Sequence, residues 1–175
     1  MTYTIDTQHS SAQFKVRHMM IANVKGEFDK LSGTVEFDPA NAGLSSVEAK
    51  IDVNSISTRE TDRDNHLKSP DFFDVAKFPE ITFKSTKVSP AGSGLKVTGD
   101  LTIHGVTKEV TLDVDEISAE VKDGWGFLRR GTSATTRVDR RDFGLVFNIP
   151  LDAGGFVVGD HIDITIDIEM TRKAE

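Results

Sequence analysis

The clearest periodic signal lies near the C-terminus. Ile162, Ile164, Ile166, Ile168 and Met170 alternate with Asp163, Thr165, Asp167 and Glu169. A period of two sends one set of side chains to a buried face and the other to water, so the stretch reads as a β-strand. The same alternation recurs upstream. Ala12, Phe14 and Val16 oppose Gln13, Lys15 and Arg17, and Val47, Ala49, Ile51 and Val53 oppose Glu48, Lys50 and Asp52. Leu95, Val97, Gly99, Leu101 and Ile103 share a face, as do Val110, Leu112 and Val114. Further strands are predicted over residues 3–6, 24–28, 31–38 and 81–88. Turn chemistry separates them around Asp29-Lys30, over residues 39–45, and at Gly92-Ser93-Gly94, His104-Gly105 and Asp123-Gly124-Trp125-Gly126. The apolar run His18-Met19-Met20-Ile21 breaks the alternation and predicts a bulge or the lip of a cavity.

One segment carries helix signals. Ser57 and Glu60 have capping-box spacing, so a helix is expected to start there. The residues that follow, TRETDRDNHLK, are polar on almost every side. Such a helix cannot be a core helix and should lie over the outside or an end of the fold. Ser69-Pro70 then reads as an N-cap with proline at the first helical position. Phe72, Phe73 and Phe78 follow within a few residues, and Pro79 favours an extended backbone at Phe78. Residues 65–83 are therefore expected to form a short helical plug at one end of a sheet.

Long strands with one wet face, short turns and a single polar helical insertion define an antiparallel all-β protein. About eight such strands close into a barrel or pack as a sandwich. One strand departs from the pattern. Residues 131–136, GTSATT, have only small side chains on both faces. In a barrel of about eight strands they leave interior space that a small ligand can occupy, unless bulky neighbours fill it.

Composition narrows the function classes. At 175 residues the chain suffices for one domain with a real core. It has no cysteine, so disulfides and cysteine-based metal sites are excluded. A net charge of −7 argues against a nucleic-acid binder. No apolar run approaches the ~20 residues of a membrane-spanning helix. The N-terminal MTYTIDTQHS has neither a basic nor an apolar leader region, so a cytoplasmic location is expected, or a periplasmic one if a leader was removed.

Candidate chemistry is sparse. His9, His18, His66, His104 and His161 show no metal-ligand spacing, and no nucleophile elbow, phosphate loop or dinucleotide fingerprint is present. Asp113, Asp115, Asp163, Asp167 and Glu169 fall on the polar phase of their strands. Arg129, Arg130, Arg137, Arg140 and Arg141 cluster with Asp139 and Asp142 interleaved, and cross-strand pairing accounts for them most simply. Arg17 with His18, and Arg59, Arg63 and His66, flank the expected mouth and plug and form a candidate head-group site.

Four stretches in order resemble the YceI-like family of lipid-binding proteins. They are Tyr3-Thr4-Ile5-Asp6 with His9-Ser10 and FKVRH from Phe14; His66-Leu67 with SPDFFD from Ser69; FPEITF from Phe78; and GDLTIHGVT from Gly99. RDFGL from Arg141 and the run RHMMIANVKG from Arg17 add to the likeness. The resemblance implies an extended eight-stranded antiparallel lipocalin-like barrel with a short helical insertion capping one end. It also implies a long-chain isoprenoid or related amphiphile, such as a polyisoprenoid, an isoprenoid quinone or a prenyl diphosphate, held lengthwise inside, and a homodimer. No other cofactor and no metal are expected. Phe14, Val16, Phe28, Phe37, Ile51, Phe83, Leu101 and Leu112 are expected to face inward. Arg17, His18, Met20, His66, Leu67, Phe72 and Phe73 complete the expected ligand-binding set. Two other readings stay open: an enzyme acting on such a lipid with His18 or His66 as acid/base, and a dimeric partner-binding module.

Overall fold

The computed structural model describes residues 1–175. Twelve strands form: β1 (Thr2–Ile5), β2 (Ser11–His18), β3 (Ala22–Phe28), β4 (Leu31–Glu36), β5 (Ser46–Asp52), β6 (Ile56–Ser57), β7 (Glu80–Ala91), β8 (Gly94–Ile103), β9 (Val106–Val114), β10 (Val121–Lys122), β11 (Phe127–Asp139) and β12 (Val158–Lys173). Neighbours run β12–β11–β9–β8–β7–β5–β4–β1 and return to β12, and the pairings are antiparallel. β2 continues β1 along the edge of β12, and β3 continues β4 along β2. The first 36 residues are thus one long hairpin, bent at residues 6–10 and again at Asp29-Lys30. The result is a closed eight-stranded antiparallel barrel with one short helix, as expected.

β12 is the spine of this ring. It pairs with β11 at thirteen consecutive positions, from Phe127↔Lys173 to Asp139↔His161. Its other edge carries β1 and β2. The isoleucines of β12 face inward because that is the only phase that removes them from water. Closure is thinnest between β9 and β11, where the ladder holds two register pairs. There the Thr136 hydroxyl donates to the Thr111 carbonyl at 3.0 Å. The β8–β9 turn uses His104 and Gly105 at φ 55° and 72°, the left-handed pair that a two-residue hairpin loop requires.

The helix, α1 (Thr61–Lys68), starts later than its sequence signals predict. Ser57 belongs to β6, and Glu60 is the N-cap, its carboxylate accepting from the Asp62 amide at 3.3 Å. The reciprocal contact is made by a different pair. Asp64 Oδ1 accepts from the Thr58 amide at 2.8 Å and from its hydroxyl at 2.6 Å. The Arg63 guanidinium closes the loop by donating to Thr58 Oγ1 and to the Thr58 carbonyl, both at 2.8 Å.

The expected second helix start at Ser69-Pro70 is corrected as well. Ser69 is the C-cap of α1, and its hydroxyl donates to the His66 carbonyl at 2.6 Å. The Phe73 and Val75 amides donate to the Leu67 and Lys68 carbonyls at 2.9 and 3.0 Å. Those amides end the first helix, so the chain runs on as consecutive turns instead of a second helix. The plug is therefore a turn assembly behind α1, held by aromatic packing.

The Thr58–Asp64 contact makes the cap testable. Asp64→Ala should lower stability by roughly 1–2 kcal/mol, the usual worth of a lost cap, read as a lower urea midpoint at unchanged slope. Ser57→Ala should move the midpoint much less. The opposite ranking would return the cap to Ser57.

Candidate functional site: an apolar cavity along the barrel

The barrel encloses a cavity of about 260 Å³ with 42 lining residues, 34 of them hydrophobic. It runs beside β12 from Val158 to Met170, about 40 Å of strand at ~3.3 Å per residue. Small side chains create part of this space. Thr132, Ala134 and Thr136 of β11 point inward opposite Ile168, Ile166 and Ile164, where larger residues would fill the interior.

All eight side chains expected to face inward line the cavity. Phe14, Val16, Phe28 and Phe37 enter from the bent hairpin and the residue after β4, and Ile51, Phe83, Leu101 and Leu112 from β5, β7, β8 and β9. The plug contributes Leu67, Phe72 and Phe73. Phe73 meets Phe28 edge-on at 5.8 Å between ring centroids, and Phe28 lies 5.6 Å from Phe14. Phe72 packs on Phe147 at 5.2 Å.

The other four residues of the expected set lie outside the lining. Arg17 is on the outer face of β2 and donates to the Met20 carbonyl at 3.2 Å. His18 ends β2 opposite Ala22 and Val158. Met20 is 56% exposed on the loop after it. His66 stacks edge-on against Phe72 and Phe147, each at 5.0 Å, and bonds Asp71 at 2.9 Å. No hydrogen bond joins His18 to His66. Of the flanking arginines, Arg63 is spent on Thr58, and Arg59 is exposed at φ 64°. The structure does not assemble these groups into a head-group pocket.

The arginine cluster resolves into separate roles. Arg137 pairs with Asp163 at 2.7 Å and Arg141 with Asp139 at 2.7 Å. Arg129 bonds Asp123 at 2.7 Å, Asp6 at 2.9 Å, and Glu169. Asp142, expected among the acidic partners, makes no ion pair. His9 joins the Arg129 group through Asp6 at 2.9 Å. Burial pushes the Asp6 carboxyl up, but the bonds from His9 and Arg129 outweigh it and leave the group below its ordinary range. The hydrogen bond to Asp6 holds His9 above the ordinary imidazole range. Asp6, His9 and Glu169 bring their ligand atoms within 4.8 Å of one another, but the Arg129 guanidinium already supplies positive charge there.

Arg140 is different. It lines the cavity at the plug end and is 5% exposed. Its guanidinium donates to the carbonyls of Leu145, Phe147, Gly159 and Val158 at 2.6, 2.9, 2.8 and 3.4 Å. The β11–β12 ladder ends at Asp139↔His161, so those last two carbonyls lie beyond it; the register of β12 against β2 also slips between Val158 and Ile162. Burial lowers the pKa of the guanidinium from its ordinary value. Its donors are committed to backbone, so it braces the chain between β11 and β12 and offers no free charge to the cavity.

The opposite end is closed by a polar cluster that sequence reasoning missed. Tyr3 is fully buried. Its hydroxyl donates to Glu120 at 2.8 Å and accepts from Arg130 Nε at 2.9 Å. Arg172 grips the same Glu120 with two bonds, at 2.8 and 3.0 Å. The parity of β12 held the available signal: Arg172 falls on the inward phase that Ile162 to Met170 define, so a charge there marks a barrel end.

Among known proteins, the chain matches the YceI-like domain over residues 3–170. The fold and cavity thus define an eight-stranded barrel of the YceI-like class, and the chain belongs to this family. It is 40% identical over 174 residues to a UPF0312 protein of Vibrio parahaemolyticus, covering 98% of this chain and 87% of that one. The crystal structure of BcnA from Burkholderia cenocepacia superposes with a TM-score of 0.80 at 27% identity, over 94% of this chain and 98% of that one. A polyisoprenoid binding domain from Saccharophagus degradans, implicated in plant cell wall breakdown, shares the fold at a TM-score of 0.69 and 19% identity, over 99% and 98% of the two chains.

Two outcomes follow from these contacts. Arg140→Ala should cost roughly 3 kcal/mol, because it strands several carbonyls at a buried position, and Arg140→Lys should not restore it. Chemical denaturation measures both. The Arg141 bond holds the Asp139 carboxyl down to about 2. A lowered carboxyl contributes stability that is complete above the ordinary carboxylate range and is lost as pH falls through the folded value. The gap in melting temperature between wild type and Arg141→Gln should therefore be full near neutrality and close from about pH 4 downward.

Proposed function

We propose that the protein binds one long-chain amphiphile lengthwise in its barrel and stores or carries it without transforming it. The class is a polyisoprenoid, an isoprenoid quinone or a prenyl diphosphate. The observation that carries this reading is the lining: a continuous apolar cavity whose one buried ionised side chain, Arg140, is bound to backbone carbonyls. Such a space supplies affinity through burial, about 0.8 kcal/mol for each methylene taken out of water. It has no paired acid and base, and general acid–base chemistry needs groups within hydrogen-bond reach of the reacting atom. The alternative of an enzyme working through His18 or His66 finds no support in their positions outside the lining. The polyisoprenoid binding domain that shares the fold supports the ligand class.

Organic extraction of the purified protein, followed by mass spectrometry against a mock purification, tests the reading. One amphiphile near one per chain is expected, or stoichiometric loading after incubation with an octaprenyl lipid. Ala134→Phe and Thr136→Phe place bulk on the small-residue strand and should abolish loading while the fold persists by circular dichroism. A wild-type protein that stays empty under both conditions would sink the proposal.

A further inference from the structure

Six of the ten large apolar side chains that stand exposed lie on two loops at the plug end. Met19, Met20 and Ile21 form the tip between β2 and β3, and Val146, Ile149 and Phe156 belong to the chain that Arg140 braces. Ile21 is 78% exposed and Phe156 51%. The loops are built against each other. The Met19 amide donates to the Val157 carbonyl at 2.8 Å. Met20 packs on Gly155, where a Cβ would sit 3.2 Å from Met20 Cγ. Asn148 bonds Val158 through both its side-chain groups, at 2.7 and 2.9 Å. Met19 and Met20 hold φ of 51° and 64°, a left-handed region that costs a non-glycine residue about 1–2 kcal/mol. The strain is borne at a tip whose side chains face solvent.

Charge is arranged around this tip. No lysine, arginine, aspartate or glutamate occurs between Arg17 and Lys25, and Asp152 is the only one between Asp142 and Asp160. Just behind the tip, the outer face of β2 and β3 carries Lys15, Arg17 and Lys25, with Lys15 directly opposite Lys25. The facing carboxylate, Asp163, lies 4.0 Å from Lys15 and is already bonded to Arg137. Lys25 has no ionic partner. Lys15 stands four residues behind Met19, about 13 Å along the strand at ~3.3 Å per residue.

We propose that this end docks on the surface of a phospholipid bilayer. The six apolar side chains enter the boundary of the acyl layer, and Lys15, Arg17 and Lys25 face the lipid phosphates. The apolar lining continues onto this surface, since Val16, Leu145 and Val158 line the cavity within three residues of the tip, Val146 and Phe156. A second copy is the less favourable occupant, because a two-fold pairing sets the same patch against itself and brings the basic band against its own image. The proposal rests on the lipid-binding reading only for its purpose; docking itself is measured on protein without cavity ligand.

Trp125 makes the test direct. It is the only tryptophan, it is 82% exposed, and it lies on the β10–β11 turn at the opposite end of the barrel. Phosphatidylcholine vesicles with a minority of phosphatidylglycerol and brominated acyl chains should leave Trp125 fluorescence unchanged. In the double variant Trp125→Phe, Phe156→Trp the same vesicles should quench emission several-fold. Ile21→Asp should abolish co-sedimentation with vesicles without lowering the melting temperature. Lys15→Glu with Lys25→Glu should weaken it about tenfold and reduce its salt dependence. Quenching of Trp125 alone, failure to sediment, or a concentration-dependent dimer that Ile21→Asp dissolves would each overturn the proposal. Protein that loads an octaprenyl lipid yet ignores vesicles would overturn docking alone, and protein that docks but never loads would overturn only the lipid-binding reading.

Discussion

The ladder between β11 and β12 is the constraint on which the rest of the molecule depends. Thirteen paired positions tie a strand of inward isoleucines to a strand whose middle carries only small inward side chains. The backbone spacing of the two strands is the same whatever their side chains. Isoleucines at 164, 166 and 168 therefore face Thr136, Ala134 and Thr132 across a fixed distance, and the missing volume becomes cavity. The same ladder sets the phase of both strands to their ends, where arginines replace the apolar series: Arg140 at one end, Arg130 and Arg172 at the other.

Burial follows from this arrangement. Of 175 residues 24 are buried, and two packed clusters hold 14 of them. Phe72, Phe143, Leu145 and Val138 close the plug end, and Tyr3, Phe37 and Met170 close the other. Between them, inward side chains such as Phe14, Phe83, Leu101, Ile164 and Ile166 are only half-buried, with cavity beside them. The densest packing thus lies in these two clusters, while the middle of the ring encloses the cavity. The start of β12 joins the two: beyond the end of the β11 ladder the carbonyls of Val158 and Gly159 serve as partners for Arg140, which fixes the loop that borders the cavity.

Much of the cavity lining was legible in the chain. Inward phase could be read for Phe14, Phe83, Leu101 and Leu112 because period-two alternation is a local property. The small strand at 131–136 announced missing volume for the same reason. The polar residues were harder. Arg17 and His18 lie far along the chain from Arg63 and His66, no hydrogen bond joins the two pairs, and their placement depended on how α1 ends and how the β2–β3 tip turns. The Ser57–Glu60 spacing satisfied a cap pattern, yet Thr58 and Asp64 made the contact, since a left-handed residue at Arg59 reoriented the chain between them.

The sequence by itself determined the strands, their inward faces, the polar character of the single helix and the likeness to a barrel family. All of these follow from side-chain periodicity, turn chemistry and residue order, which need no partner to be read. Tertiary structure alone decided that residues 1–36 are one bent hairpin, that Tyr3 meets Glu120, Arg130 and Arg172, and that Arg140 spends its charge on four carbonyls. Those contacts join residues five to more than a hundred positions apart. Their geometry is set by ring closure and by where the β11–β12 ladder ends, and neither leaves a repeating mark in the chain.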